Sequence, residues 1–291
     1  MNKHLKTALK YALPFWVIEK IKFPLETRMA KGKSLSLPDQ KSVLLFTLNK
    51  CASTFTPRVM TYLNARTRKL PLVDFEGYYY NQSGEDFKTM MQRTPERYFR
   101  PQGIMMAPLR RWYPIPDFEK YSAVLVIRDP RDILPSKYFS QASTHSVPFS
   151  PKKRKIFFER RERVKNMSID EFVHEWAPEI KSDFQEYTAM LDQYQVPVVR
   201  YEDIILDFEN AMALFGKVFD YESSADEIEE LRVIGGYDKP MGEENLKVHT
   251  RKRLPGDHKE KLKPETILYL DELFEPELKR FGYLGVNWTQ V

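Results

Sequence analysis

The 291-residue sequence is poor in the residues that would make it a secreted, metal-bound or membrane-spanning protein. It holds one cysteine, Cys51, which excludes an intrachain disulfide and suits a reducing, cytoplasmic compartment. Five scattered histidines and that cysteine set no metal-ligand spacing. Long apolar runs are missing: the stretch Tyr11–Ile18 ends at Glu19 and Lys20, too short to cross a bilayer and without a small-residue cleavage site after it. No glycine- or serine-rich linker and no internal repeat divides the chain. The nucleotide-triphosphate loop, Gly-x4-Gly-Lys-Ser/Thr, is also lacking. The one Gly-Lys-Ser, Gly32-Lys33-Ser34, has Thr27 where the first glycine belongs. The formal net charge of +5 fits an anionic ligand and is too mild to call for nucleic acid.

Three segments carry chemistry. In the first, Val43 to Phe46 reads as a buried strand, followed by Thr47-Leu48-Asn49-Lys50-Cys51-Ala52-Ser53-Thr54-Phe55. A lysine among small and hydroxylated residues, with Ser53 or Thr54 opening a helix, is the form of a strand–loop–helix phosphate cradle. The second is the strand Ala123–Ile127 running into Arg128-Asp129-Pro130, with Asp129 as N-cap and Pro130 in the first helical turn. An arginine at a strand's carboxyl end sits where open α/β sheets bind ligands, and a helix from Pro130 brings Ser136 towards the same group. An Arg128–Asp132 ion pair closing the turn is the alternative. The third segment, Arg251 to Lys259, places Arg251, Lys252, Arg253 and Lys259 around the turn Pro255-Gly256, where an anion would relieve their repulsion.

In order and spacing these segments resemble the sulfotransferases that use 3′-phosphoadenosine 5′-phosphosulfate (PAPS), over about residues 42–285. The resemblance implies the family's α/β fold: one domain with a central, mostly parallel sheet flanked by helices. It implies that Lys50 contacts the bridging oxygen of the donor, and that Cys51, Ala52, Ser53, Thr54 and Phe55 complete the 5′-phosphosulfate loop. Arg128 and Ser136 correspond to the 3′-phosphate pair. Tyr201, in Tyr201-Glu202-Asp203, lies near the adenine, and Arg251, Lys252 and Arg253 cover the 3′-phosphate. The sequence departs from the family at Ala52 and Arg253, which replace glycines, and at His258, which replaces a tryptophan. Met106 falls on the histidine that serves cytosolic members as base, and a thioether takes no proton. Family members acting on glycans use a glutamate after the second strand. Asp74 and Glu76 stand there, 24 and 26 residues after Lys50, on the same side of what reads as an extended segment. Glu76 is the preferred base, then Asp74, then His145.

Organisation follows from the periodicities. Residues 1–40 form a basic, amphipathic N-terminal extension, and 41–291 the domain. The extension packs on its own domain or on a second copy of the chain, or else lies on a membrane surface. Helices are expected near 54–68, 85–93, 131–141, 168–193 with a break at Pro178, 209–219, 225–234 and 264–280, and strands near 70–74, 103–107 and 196–200. Residues 142–166 read as irregular and basic; within them the run 152–165 is either a lid that binds an acidic acceptor or membrane, or a solvated helix face balanced by Glu159 and Glu162. Tyr78, Tyr79 and Tyr80 read as an extended segment that stacks on a sugar or aromatic acceptor or fills the core.

The resulting expectation is transfer of a sulfuryl group from PAPS, without a metal, to a hydroxyl or amine of a small molecule, glycan or lipid. Two other readings compete. A P-loop small-molecule kinase would need a magnesium-binding Ser or Thr at Cys51. A non-catalytic polyanion- or membrane-binding protein is suggested by Ala52 and Met106.

Overall fold

A computed structural model describes residues 15–82, 84–237 and 253–285. Five parallel strands form one sheet in the order β2-β3-β1-β4-β5: β1 Val43–Thr47, β2 Leu72–Val73, β3 Met105–Leu109, β4 Ser122–Ile127 and β5 Val198–Arg200. Every residue of β1 and β3 is buried, as parallel strands covered on both faces must be. Met106, at the position of the family histidine, pairs with Leu44 and Val73 and is fully buried.

Helices flank this sheet. Ahead of it lie α1 (Phe15–Lys22) and α2 (Pro24–Ala30), joined to the domain through the core residues Phe23 and Met29. Helix α3 (Thr56–Arg66) follows β1, and α4 (Phe75–Asn81), α5 (Phe87–Arg93) and α6 (Pro95–Tyr98) lie between β2 and β3. After β4 come α7 (Pro130–Phe139), α8 (Pro151–Lys165) and α9 (Ile169–Gln193). After β5 come α10 (Tyr201–Leu206), α11 (Phe208–Lys217), α12 (Ala225–Gly235), α13 (Asp257–Lys261), α14 (Pro264–Leu273) and α15 (Glu275–Arg280).

Several local expectations are corrected. The basic stretch 142–166 is mostly helical: Ser150 caps α8 by accepting from the Lys153 N–H, and Pro151 occupies the first turn. Its charges include the i,i+4 pair Lys155–Glu159 at 4.0 Å, so the run is less repulsive than its cations suggest. Pro178 does not break α9, because Val173, Ala177, Ile180, Phe184 and Tyr187 bury its inner face. The single helix expected over 264–280 divides at Phe274, just before Pro276.

Strand β2 is shorter than expected, and the chain turns helical at Phe75. The tyrosines of 78–80 therefore follow helical spacing. Tyr78 and Tyr79 enter the core, while the Tyr80 hydroxyl donates to the Ser146 carbonyl at 2.6 Å. Asp74 and Glu76 do not share one side of an extended segment. Asp74 caps α4, and Glu76 lies in its first turn.

Candidate active site

The chain leaves β1 towards α3 and β2 on one side of the sheet, whereas β4 leads towards β5 on the other. The two departures open a crevice at the carboxyl ends of β1 and β4, the place where open α/β sheets bind ligands. Thr47 pairs with Val126 and Ile127 with Arg200, so Lys50, Arg128 and Tyr201 all lie just beyond the same edge.

The β1–α3 loop is shaped by its backbone. Lys50 and Ala52 both adopt left-handed conformations, with φ of 71° and 54°. For residues with a Cβ this costs about 1–2 kcal/mol each. Alternation of left- and right-handed residues turns successive N–H groups to one side, the concavity that receives anions. Ala52 thus adopts the conformation that the family's glycine would permit more cheaply. Its carbonyl accepts from the N–H groups of Phe55 and Thr56 at 2.8 and 3.0 Å. Helix α3 accordingly starts at Thr56, and Ser53 and Thr54 lie in the loop ahead of it. Cys51 is buried with its sulfur near the Asn49 carbonyl at 3.8 Å, and burial pushes its thiol well up. It fills space under the loop and is no nucleophile at neutral pH.

Arg128 supports this loop from below. It is 4 % exposed, and its Nη1 donates to the Lys50 carbonyl at 3.3 Å. Its guanidinium lies over the Tyr201 ring at 4.3 Å. The Asp132 carboxylate is 3.8 Å from Nη2, so the turn-closing ion pair exists but is long. Arg128 Nε, also buried, has no partner among the described residues. Burial opposes the guanidinium's charge, but Tyr201, Asp132 and Glu202 hold it firmly protonated. Asp129 caps α7 through the Arg131 N–H, as its position before Pro130 predicts. Asp132 and Ser136 follow Arg128 at successive four-residue steps, which in a helix fall on one face.

Asp132 organises the opposite wall. Its carboxylate accepts from the Gly256 N–H at 2.7 Å, the His258 N–H at 2.9 Å and lies 2.6 Å from His258 Nδ1. Burial opposes its ionisation, but His258 and Arg128 hold it well below the usual carboxylate range. The segment after the basic triplet is thereby pinned to α7. Arg253 is held by the Tyr201 hydroxyl, which donates to its carbonyl at 2.8 Å, and its guanidinium lies over the Tyr237 ring at 4.8 Å. Arg251 and Lys252 lie outside the described residues.

An aromatic pair flanks the loop. Phe55 meets Tyr237 edge-on at 4.9 Å, and both approach Phe208. Gly235 leaves room for them: a Cβ there would fall 2.6 Å from a Phe55 ring carbon. Glu202, buried and pushed up to about 8 by burial and by Asp129, accepts from the Asp129 N–H and the Tyr283 hydroxyl. It braces the turn that carries Arg128. The sequence marked Asp132 only as a partner for Arg128 and His258 only as a departure from the family's tryptophan, not as partners of each other. Tyr237 and the bracing role of Glu202 were not singled out, and only Glu202 had a signal, lying next to Tyr201.

The residues considered for the base lie as follows. Glu76 accepts from the Arg110 N–H at 2.6 Å and its Nη1 at 3.3 Å, just past the end of β3. Burial raises its pKa and Arg110 opposes the rise. Asp74 accepts from the Gly77 N–H at 2.7 Å, and its own N–H donates to Glu26 at 2.7 Å. His145 lies past the end of α7, edge-on to Tyr80 and stacked on Phe157, with ring centroids 5.9 and 6.0 Å away. Among the described residues no group of three or more His, Cys, Asp or Glu could hold a metal ion, and no helix is long and apolar enough to cross a membrane.

A family model described as a sulfotransferase domain matches residues 116–282. No curated protein sequence matches the chain. Among solved structures, the fold is similar to mouse sulfotransferase SULT7A1 complexed with PAP, with a TM-score of 0.56 and 11% identity, covering 87% of this chain and 88% of that one. It is also similar to retinol dehydratase in complex with retinol and PAP, with a TM-score of 0.53 and 14% identity, covering 88% and 86%. A complex of retinol dehydratase with androsterone and inactive cofactor PAP gives 0.51 and 13%, covering 82% and 80%.

Proposed function

The chain belongs to the sulfotransferase domain family, and from that premise we propose that it transfers a sulfuryl group from PAPS to a hydroxyl or amine of an acceptor. The observation that carries the reading is Arg128. It is a buried guanidinium beneath a left-handed loop, with a long ion pair to Asp132 at 3.8 Å and an Nε that has no partner among the described residues. An unsatisfied buried donor in this position is costly unless an anion completes it.

The residues fit the donor. Lys50 and the backbone of Cys51, Ala52, Ser53 and Thr54 would hold its 5′-phosphosulfate, with the Ser53 and Thr54 hydroxyls as further donors. Arg128 and Ser136 would hold the 3′-phosphate, joined by Arg251, Lys252 and Arg253. Phe55 and Tyr237 would receive the adenine, near Tyr201. When bound, PAPS supplies an activated sulfuryl group whose leaving group is a phosphate. The protein positions the reactants and neutralises charge. Lys50 would place its cation where charge develops on the bridging oxygen, and Arg128 holds the carbonyl of Lys50 and so fixes the loop that carries it. Among the sequence-derived candidates for the acceptor's base, Glu76 lies at the edge of β3, held by Arg110.

The named neighbours include complexes with retinol and androsterone, which support a small, largely apolar acceptor, small lipids included, as the first class to screen, ahead of glycans. We read residues 41–291 as the transferring domain and 1–40 as an extension that packs on it or on a second copy, with membrane contact as its other role. A cytoplasmic location fits the single buried cysteine. Isothermal titration calorimetry with 3′-phosphoadenosine 5′-phosphate (PAP), the product left when PAPS gives up its sulfuryl group, and with ATP tests the proposal. PAP should bind and ATP should bind weakly. Preference for ATP would favour a kinase, and binding of neither would leave a non-catalytic protein.

A further inference from the structure

The acceptor's proton needs a destination, and the structure offers one that no motif marks. Helix α9 crosses the carboxyl edge of the sheet. Its Tyr187 hydroxyl lies 3.5 Å from the carbonyl of Thr47 and 3.4 Å from that of Leu109, the last residues of β1 and β3. Asp183 and Glu179 precede Tyr187 by one and two helical turns, on the same inward side. Glu179 is engaged: it accepts from Arg111 at 3.0 Å, two residues beyond β3, and pairs with Lys137 of α7 at 3.5 Å. Lys137 directly follows Ser136, and its amine lies over the Trp176 ring at 4.2 Å. Asp183 thus faces Arg111 from the β3 side and Lys137 from α7, with Glu179, Glu186 and Tyr187 on its own helix.

Asp183 differs from Asp74, Glu76 and Glu179 at this edge. It is 8 % exposed, yet its side chain makes no hydrogen bond or ion pair with any described residue. Glu76 is held by Arg110, Asp74 by the Gly77 N–H and Glu179 by two cations. A buried carboxylate without a partner opposes folding, and such groups concentrate where chemistry needs them. Burial, with Glu179 and Glu186, raises its pKa to about 6 against the pull of Arg111 and Lys137. That is a useful range for a base near neutral pH.

We propose that Asp183, not Glu76, is the general base that takes the proton from the sulfuryl acceptor. The inference rests on the sulfotransferase reading above. An Asp183 oxygen receives the acceptor's O–H or N–H proton as the acceptor's lone pair forms the new bond to sulfur. The bond between sulfur and the bridging oxygen breaks, and its electron pair stays on the phosphate beside Lys50. Charge and atoms balance without an oxidant or metal. Glu76 instead orients Arg110.

The test uses the full chain, with PAPS as donor and water as acceptor, so that no acceptor need be known. Sulfate release is followed against pH for the wild type, Asp183→Asn and Glu76→Gln, together with PAP affinity by calorimetry and melting temperature at pH 7.5. The wild-type rate should rise through about pH 6 and then level. Asp183→Asn should be slower by roughly a hundredfold or more, without the inflection. It should bind PAP as the wild type does and melt no lower, since it removes an unpaired charge. Glu76→Gln should keep the inflection. An Asp183→Asn protein with the wild-type rate and profile overturns the proposal, as does one that melts lower, the mark of a structural carboxylate. So does a wild type that binds PAP but releases no sulfate. Failure of the wild type to bind PAP would instead overturn the sulfotransferase reading itself.

Discussion

Arg128 Nη1 donates to the carbonyl oxygen of Lys50 across 3.3 Å, joining two residues 78 positions apart in the chain. The bond ties the loop after β1 to the turn after β4, so the group that would stabilise the leaving phosphate and the group that would read the 3′-phosphate share one rigid support. Changes at either residue can therefore be separated into chemistry, recognition and folding.

Replacing Lys50 with Ala removes the cation and leaves the loop carbonyl in place. Turnover should fall by roughly 10²-fold or more, while the melting temperature stays near the wild type's. Sulfuryl transfer and thermal unfolding measured on the same preparation check this; wild-type rates would show that Lys50 is a solvated loop residue.

Arg128→Ala and Ser136→Ala should weaken PAP binding much more than binding of adenosine 5′-phosphate, which lacks the 3′-phosphate. A charge-assisted contact contributes about 1.5–3 kcal/mol, so Arg128→Ala should cost PAP roughly tenfold or more in affinity. Equal loss for both nucleotides would assign Arg128 to supporting the loop alone.

Phe55→Ala and Tyr237→Ala should each weaken PAP binding by about 1–3 kcal/mol, the range for loss of a stacked base. Tyr237→Phe should bind normally, because the ring and not the hydroxyl meets Phe55. Calorimetry on the three variants decides; unchanged affinity in both alanine variants would place the adenine elsewhere.

Asp132 predicts a pH dependence with a definite sign. Its folded-state pKa lies below the unfolded value of about 3.9. Its contribution to stability is therefore present above that value and is lost as the pH falls through the folded pKa. Asp132→Asn should be destabilised at pH 7, by about 3–5 kcal/mol if the buried network breaks outright. The gap in melting temperature between wild type and variant should narrow below about pH 4. A gap that is constant with pH would show that packing, and not charge, accounts for the loss.

The local sequence carried much of the fold and placed the residues of the candidate site. The apolar runs 43–46 and 123–127 are central strands, because only residues of that kind suit a sheet buried on both faces. Asp129 and Pro130 start α7 because capping is a contact between near neighbours. The spacing of Lys50, Arg128 and Ser136 was legible for the same reason: each follows a strand end at a short, fixed distance.

What the tertiary structure decided depends on contacts between distant segments. Asp74 and Glu76 looked equivalent in an extended segment, but packing of Phe75, Tyr78 and Tyr79 into the core turns that segment into a helix. One carboxylate becomes a cap and the other a partner of Arg110. Tyr237 joins Phe55 only because Gly235 allows the rings to approach. Asp132 gains its hold on His258 from a segment 126 residues away. Asp183 is one more acidic residue on a helix by sequence; its burial without a partner among the described residues arises only where α9 crosses the ends of β1 and β3, since burial belongs to the assembled core and not to the local chain.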